Sequence, residues 1–343
     1  MQNFIAVLKA IKQLHIAFLM MSLLLSLMVI SSDSFAVDDL HFNKFRKFSQ
    51  IFEPSGIVQH PDGRFIVIED ESAQSLASVT LELDGSTREK ILYKHSLGNI
   101  LSELNSLNDL EGAAIDDEGF IYAISSHSRT TSGKRNKNRE RLIRFKLDGD
   151  QVTDFEEFGN LVKRVRKQHP FLKASTKEKD VRGASGFNIE GLSFDQSKQQ
   201  LLIGLRAPLD DGKAMILTLQ NPKEVFTLGE KAQISQKIIR LDLKGGGIRG
   251  ISYDPYLKSY LIISRQVDKK FKLWTWDGNT QNAPLRVKLP DIKNLRNAEG
   301  ISPARLADGT RGLMIVSDEG DLLIRKPGRY LFLSYDQLAI QGR

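Results

Sequence analysis

The stretch EGLSFDQSKQQLLIGL (190–205) decides the fold. A polar residue and a glycine open it. A short apolar-rich run follows, Asp195 starts a turn, and a second apolar run closes the unit. Two strands joined by a tight turn account for that order. The pattern recurs at SGIVQHPDGRFIVIED (55–70), EGAAIDDEGFIYAISS (111–126), RGISYDPYLKSYLIIS (249–264) and EGISPARLADGTRGLMIVSD (299–318). The shared glycines are Gly56, Gly112, Gly191, Gly250 and Gly300. Self-similarity at such intervals marks a repeat architecture.

Working outward, each unit is followed by an alternating stretch: SVTLELDG (78–85), RLIRFKLDG (141–149), AMILTLQNP (214–222), FKLWTWDG (271–278) and RYLFLSYD (329–336). Several end in Asp-Gly, a turn signal. A fourth strand-like stretch follows in four units, at 87–93, 151–158, 236–243 and 284–290. Four strands per unit predict an all-β chain folded as a β-propeller of five four-stranded blades. Six blades is the alternative, with a degenerate blade hidden in 151–189 or 221–247. The last unit lacks an obvious fourth strand, and FNKFRKFSQIF (42–52) is placed to supply it and close the ring. The long interval between Gly112 and Gly191 holds an insertion at 159–189, read as a short basic helical stretch and a polar loop. Trp274 and Trp276 alternate on one strand face and read as core.

The chain has 343 residues, 41% of them hydrophobic and 27% charged, with a formal net charge of +7 and no cysteine. That balance excludes wholesale disorder and a multi-span membrane protein. The absence of cysteine excludes disulfide staples, zinc ribbons and a thiol nucleophile. Lys9 and Lys12 precede an apolar run, Ile16 to Ile30, and Ser34-Phe35-Ala36 has the small residues of a cleavage site. This reads as a signal peptide over 1–36 and a mature domain over 37–343. The run is shorter than the ~20 residues of a spanning helix. The expected location is therefore the bacterial periplasm or exterior, with no stable membrane insertion after cleavage.

The residue before each unit's glycine is expected at one mouth of the central channel. Those residues are Ser55, Glu111, Glu190, Arg249 and Glu299. Converging carboxylates demand a counter-charge or a raised pKa. Arg249 supplies one, and a hard divalent cation (Ca²⁺, Mg²⁺ or Mn²⁺) on Glu111, Glu190 and Glu299 is the other choice. A ring of internal salt bridges with no ligand is the plainer reading. The ends of the second strands bring Glu69, Asp70, His127, Arg206, Arg265, Asp318 and Glu319 to the same or the neighbouring rim. The arginines suit a small anionic molecule. The basic loop 127–141 (HSRTTSGKRNKNRER) suits a surface polymer or a partner. No basic stripe with interleaved aromatics points to nucleic acid. The Gly-rich run 245–250 lies between strands, not before a helix, and is no dinucleotide motif.

Leu-Glu-Gly-Ala-Ala (110–114), Ser-His-Ser-Arg (126–129), Ile-Glu-Gly-Leu-Ser (189–193), Ile-Arg-Gly-Ile-Ser-Tyr-Asp (248–254) and Ala-Glu-Gly-Ile-Ser (298–302) resemble the exported bacterial propellers called domain of unknown function 3616, over most of 50–335. The resemblance implies the fold and no activity. A looser similarity extends to esterase-like phytase domains and gluconolactonase-type propellers; in the lactonases such a glutamate helps hold a divalent metal beside Asn and Asp ligands, and here Glu111, Glu190 and Glu299 match only the Glu-Gly element. Two readings follow. One is a metal-assisted hydrolase of lactones, esters or phosphoesters. In it Arg249, Arg206, Arg265 and Asp318 bind the ligand, and Glu111, Glu190, Glu299 or His127 does proton chemistry. The other is a non-catalytic scaffold that binds through loops 127–141 and 159–189.

Overall fold

Each repeated unit becomes one antiparallel sheet whose strands lie in chain order. The computed structural model describes residues 44–70, 76–92, 107–179, 185–266, 268–289, 292 and 294–341. The expected signal at 1–36 lies outside them. After a short β1 (Arg46–Lys47), blade 1 comprises β2 (Pro54–Gln59), β3 (Phe65–Glu69), β4 (Leu76–Leu81) and β5 (Thr87–Ile91). Blade 2 comprises β6 (Leu110–Ile115), β7 (Ile121–Ser125), β8 (Leu142–Asp148) and β9 (Gln151–Phe158). Blade 3 holds β10 (Asn188–Asp195), β11 (Gln200–Ala207), β12 (Ala214–Leu219) and β13 (Ile239–Leu241). Blade 4 holds β14 (Gly247–Asp254), β15 (Ser259–Arg265), β16 (Phe271–Trp276) and β17 (Leu285–Lys288). Blade 5 holds β18 (Ala298–Arg305), β19 (Arg311–Ser317) and β20 (Arg329–Ser334). The propeller has five blades. The stretches 151–189 and 221–247 supply the outer strands β9 and β13, and among the described residues they form no sixth sheet.

Burial falls from the axis outward, and the sequence pattern follows it. Second strands such as β3 and β7 are buried at every position, because a blade is covered on both faces by its neighbours. Outer strands such as β5 and β9 alternate or lie largely in solvent. Apolar layers fill the gaps between blades 1 and 2, 2 and 3, 3 and 4, and 4 and 5. Trp274 and Trp276 are both buried in the third of these layers, as expected. Their indole N–H groups donate to Ser264 Oγ at 2.8 Å and to the Asn279 carbonyl at 3.0 Å.

Two terminal strands guard sheet edges. The N-terminal segment closes the ring as the sequence suggested: β1 pairs with β20, Arg46 opposite Tyr330 and Lys47 opposite Arg329. The second is a departure from four strands per blade. A final strand, β21 (Ala339–Ile340), pairs with β17 and gives blade 4 a fifth strand.

The insertion forms the short basic helix that the sequence suggested, and 180–184 of the expected polar loop lie outside the described residues, but the segment packs into the core. Helix α1 (Leu161–Gln168) buries Leu161, Val162 and Val165, and short 3-10 turns carry Leu172 and Thr176 inward. Leu161, Val162, Val165, Leu172 and Phe187 join the layer between blades 2 and 3, as do Val225 and Phe226 of helix α2 (Pro222–Thr227). Lys163, Lys167, Lys173 and Lys177 of the segment are exposed, while Arg166 turns back to Thr176. Among the described residues no helix is long and apolar enough to cross a membrane.

Candidate functional site at the channel mouth

All five inner strands carry a β-bulge at the same place. The register with the second strand slips between Pro54 and Gly56, Leu110 and Gly112, Ile189 and Gly191, Ile248 and Gly250, and Ala298 and Gly300. The extra residue in each slip is Ser55, Glu111, Glu190, Arg249 or Glu299. A bulge re-aims one side chain and bends its strand. The glycine that follows lets the strands crowd together: a Cβ on Gly112 would sit 2.9 Å from the Leu192 amide nitrogen. The motif thus combines a bulge residue with the close approach behind it.

The side chains meet as a charged cluster. Arg249 forms ion pairs with both Glu190 and Glu299, and all three are buried. Arg206 Nη1 reaches Glu190 Oε1 at 2.7 Å, and Asn188 Nδ2 donates to the same oxygen at 3.1 Å. Burial raises the Glu111 carboxyl well above the usual range, and the charges of Glu190, Asp109 and Asp70 add to it, against Arg249. Asp70 is raised by burial and by Asp109, with which it shares a side-chain hydrogen bond. Burial also pushes Asp318 up to about 6, with Arg249 opposing. Asp109 is held by Arg139 Nη2 at 3.2 Å and accepts hydrogen bonds from Ser126 and Ser128. Arg265 stands at the rim, its guanidinium destabilised by partial burial and by Arg249 and Arg206. It makes no ion pair among the described residues.

The structure therefore brings together Glu111, Glu190, Glu299, Arg249, Arg206, Arg265 and Asp318. Ser55 takes a different role, donating to the Leu110 carbonyl of the next blade at 2.5 Å. Glu69 turns away and accepts from the amides of Phe52 and Glu53. Glu319 pairs with Arg296 and Arg329. His127 is buried against its own chain, Nδ1 bonding to the Ser125 carbonyl at 2.8 Å. Burial pushes its pKa down to about 4, and its Nε2 finds no partner among the described residues. Two members escaped the sequence reading, Asp109 and Asn188. A signal was present: an Asp or Asn stands two residues before each glutamate, at Asp109, Asn188 and Asn297.

Arg249 supplies the counter-charge in this arrangement. The guanidinium of Arg249 occupies the position between Glu190 and Glu299, and Glu111 favours its protonated form. Among the described residues no three His, Asp or Glu side chains have the placement of a metal site. The basic loop 127–141 is partly built into the wall. Arg139 neutralises Asp109, and Arg135 pairs with Glu140.

Residues 150–327, just over half the chain, match the family described as protein of unknown function (DUF3616). The chain belongs to this family. No curated protein matches the sequence. Among solved structures, the DUF3616 chain is similar to the PQQ-bound aldose sugar dehydrogenase of Streptomyces coelicolor, at 14% identity and TM-score 0.43, covering 85% of this chain and 98% of that one. It is also similar to the PQQ domain of the pyranose dehydrogenase of Coprinopsis cinerea, at 10% identity and TM-score 0.39, covering 84% and 95%. A third is the Trypanosoma rangeli sialidase, at 10% identity and TM-score 0.36, covering 79% and 44%.

Proposed function

We propose that the channel mouth binds a small anionic molecule and hydrolyses a lactone, ester or phosphoester bond in it. The observation that carries this reading is Arg265, a guanidinium without an ion-pair partner among the described residues, within electrostatic reach of Arg249, Arg206 and Glu190 in a cluster where burial raises the Glu111 and Asp70 carboxyls. Arg265 and the outer side of Arg206 hold the anionic group. Water adds to the carbonyl or phosphoryl centre and gives a proton to the ionised member of the Asp70–Asp109 pair. Glu111 returns a proton to the leaving oxygen. A carboxyl whose pKa burial raises is suited to that acid role. The segment 1–36 directs export, and the intact mass of the processed protein is expected to begin at Val37.

The test is hydrolysis of a γ-lactone, p-nitrophenyl acetate and p-nitrophenyl phosphate, with succinate and inorganic phosphate as calorimetric probes of binding. Arg265→Ala is expected to weaken binding at least tenfold, and Glu111→Gln to lower kcat about a hundredfold with binding kept. No turnover and no heat with any probe would sink the reading. Metal content is measured on the same preparation. Stoichiometric Ca²⁺, Mg²⁺ or Mn²⁺, lost in Glu111→Gln, Glu190→Gln and Glu299→Gln, would replace it with a cation-assisted one. Variants of loops 127–141 and 159–189 that alone abolish binding would favour the scaffold.

A further inference from the structure

The opposite mouth of the channel holds a cavity of about 630 Å³. It is separated from the charged mouth by Ile57, Ala113, Leu192, Ile251 and Ile301. The space that these residues line together with Ser55, Glu111, Glu190 and Glu299 is about 10 Å³. That is the room of a single water, roughly 10–15 Å³. Ala113 and Leu192 line both spaces and form the partition.

The cavity has two chemistries. Its floor is apolar, made by Val58, Ala113, Ala114, Leu192 and Phe194. Two of its serine hydroxyls accept from backbone amides. Ser193 Oγ accepts from the Tyr253 amide at 3.1 Å, and Ser302 Oγ accepts from the Gln59 amide at 3.0 Å. The one carboxylate in the lining, Asp254, is buried and accepts from Tyr335 Oη at 2.6 Å and from the amides of Tyr256 and Leu257. The rim is cationic. Arg305, Arg311 and Lys258 are exposed there and make no ion pair among the described residues. Arg311 lies over the Tyr256 ring at 5.2 Å, and that ring stacks on Tyr335 at 4.7 Å and 17°. The volume is that of an ordinary small-molecule site, where an apolar body is buried and a few polar groups fix its orientation.

We propose that this cavity binds an amphipathic anion, its apolar body on the floor and its acid head between Arg305, Arg311 and Lys258. Both halves of the ligand are required. The body alone lacks the charge that the three cations complement. The head alone leaves the apolar floor in water, which costs about 25 cal/mol per Å² of surface that the body would have covered. The site is independent of the charged mouth and of the hydrolytic reading.

The experiment is isothermal titration of the mature protein with decanoate, with 1-decanol as the neutral body and acetate as the head. Naphthalene-2-sulfonate distinguishes an aromatic from an aliphatic body. One of the two anions is expected to bind at least tenfold more tightly than decanol and acetate. Arg305→Glu and Arg311→Glu are each expected to weaken it tenfold or more at unchanged melting temperature. Arg88→Glu removes an exposed cation of blade 1 and is expected to leave binding unchanged. Decanol binding as tightly as decanoate, equal binding in the rim variants, equal loss in Arg88→Glu, or no heat with either anion would each overturn the proposal.

Discussion

Arg249 stands where a symmetric ring of glutamates would otherwise repel itself. Its guanidinium pairs with Glu190 and Glu299, and none of the three reaches bulk solvent. Arg249→Ala leaves two buried carboxylates without that counter-charge and is expected to cost about 3–5 kcal/mol in urea unfolding at pH 7. A loss below about 1 kcal/mol would mean that the pairs are solvated. Glu69 carries a pH signature. Burial pushes it up to about 7 from an ordinary 4.5, and its Oε1 has no partner among the described residues. The folded state therefore holds a proton that the unfolded chain has lost between those values. Stability attributable to Glu69 is full below about pH 4.5 and falls as pH rises through 7, by on the order of 3 kcal/mol. Asp318 acts in the same direction, up to about 6. Glu69→Gln keeps an acceptor for Phe52 and Glu53 and is expected to flatten the slope of unfolding free energy between pH 5 and 8. An unchanged slope would assign it to other groups.

At the scale of elements, the inner strands do two jobs with one motif. The bulge aims a polar side chain into the mouth, and the residues after the glycine bind the next blade. Gln59 at the end of β2 is the clearest case. Its Oε1 accepts from the Arg305 amide and its Nε2 donates to the Arg305 carbonyl, both at 2.8 Å, joining the first blade to the last. Gln59→Ala removes both bonds and is expected to destabilise by about 1–3 kcal/mol, read as a shift in urea midpoint at unchanged slope. The insertion is a second case. Val165 faces the layer between blades 2 and 3, so Val165→Asp is expected to destabilise the whole domain and not merely to loosen a surface segment. Thermal unfolding of that variant decides between these.

On the scale of the molecule, closure is a property of the two chain ends. β1 completes blade 5, and Phe48, buried just after it, lies against Tyr330 with ring centroids 4.8 Å apart. Phe48→Ala is expected to cost about 3–5 kcal/mol through the lost burial and the cavity left behind. A chain starting at Ile51 loses the same contact together with the pairing, and its unfolding transition is expected to broaden as blade 5 opens before the others. Hydrogen exchange in β19 and β20 measures that directly; protection equal to that of the full domain would mean that the ring does not depend on β1.

The repeated polar-Gly unit with its two apolar runs determined the strands, the blade count and the N-terminal closure, because strand periodicity and turn chemistry are local and each blade repeats them. The unit also marked which residues crowd the axis, since the same position in every repeat must occupy the same place in a ring. The ion pairing of the cluster was not legible. Whether a glutamate meets a cation, an arginine or a proton depends on distances across the channel between segments far apart in sequence. The same holds for His127, which shares a strand end with useful neighbours yet turns to its own backbone, and for Asp109 and Asn188, whose shared place before Glu-Gly gained meaning only across the channel. The cavity at the second mouth lay furthest from local pattern. Val58, Leu192, Tyr256, Arg311 and Tyr335 come from four blades, and only the closed ring, with its apolar throat, makes a single pocket of them.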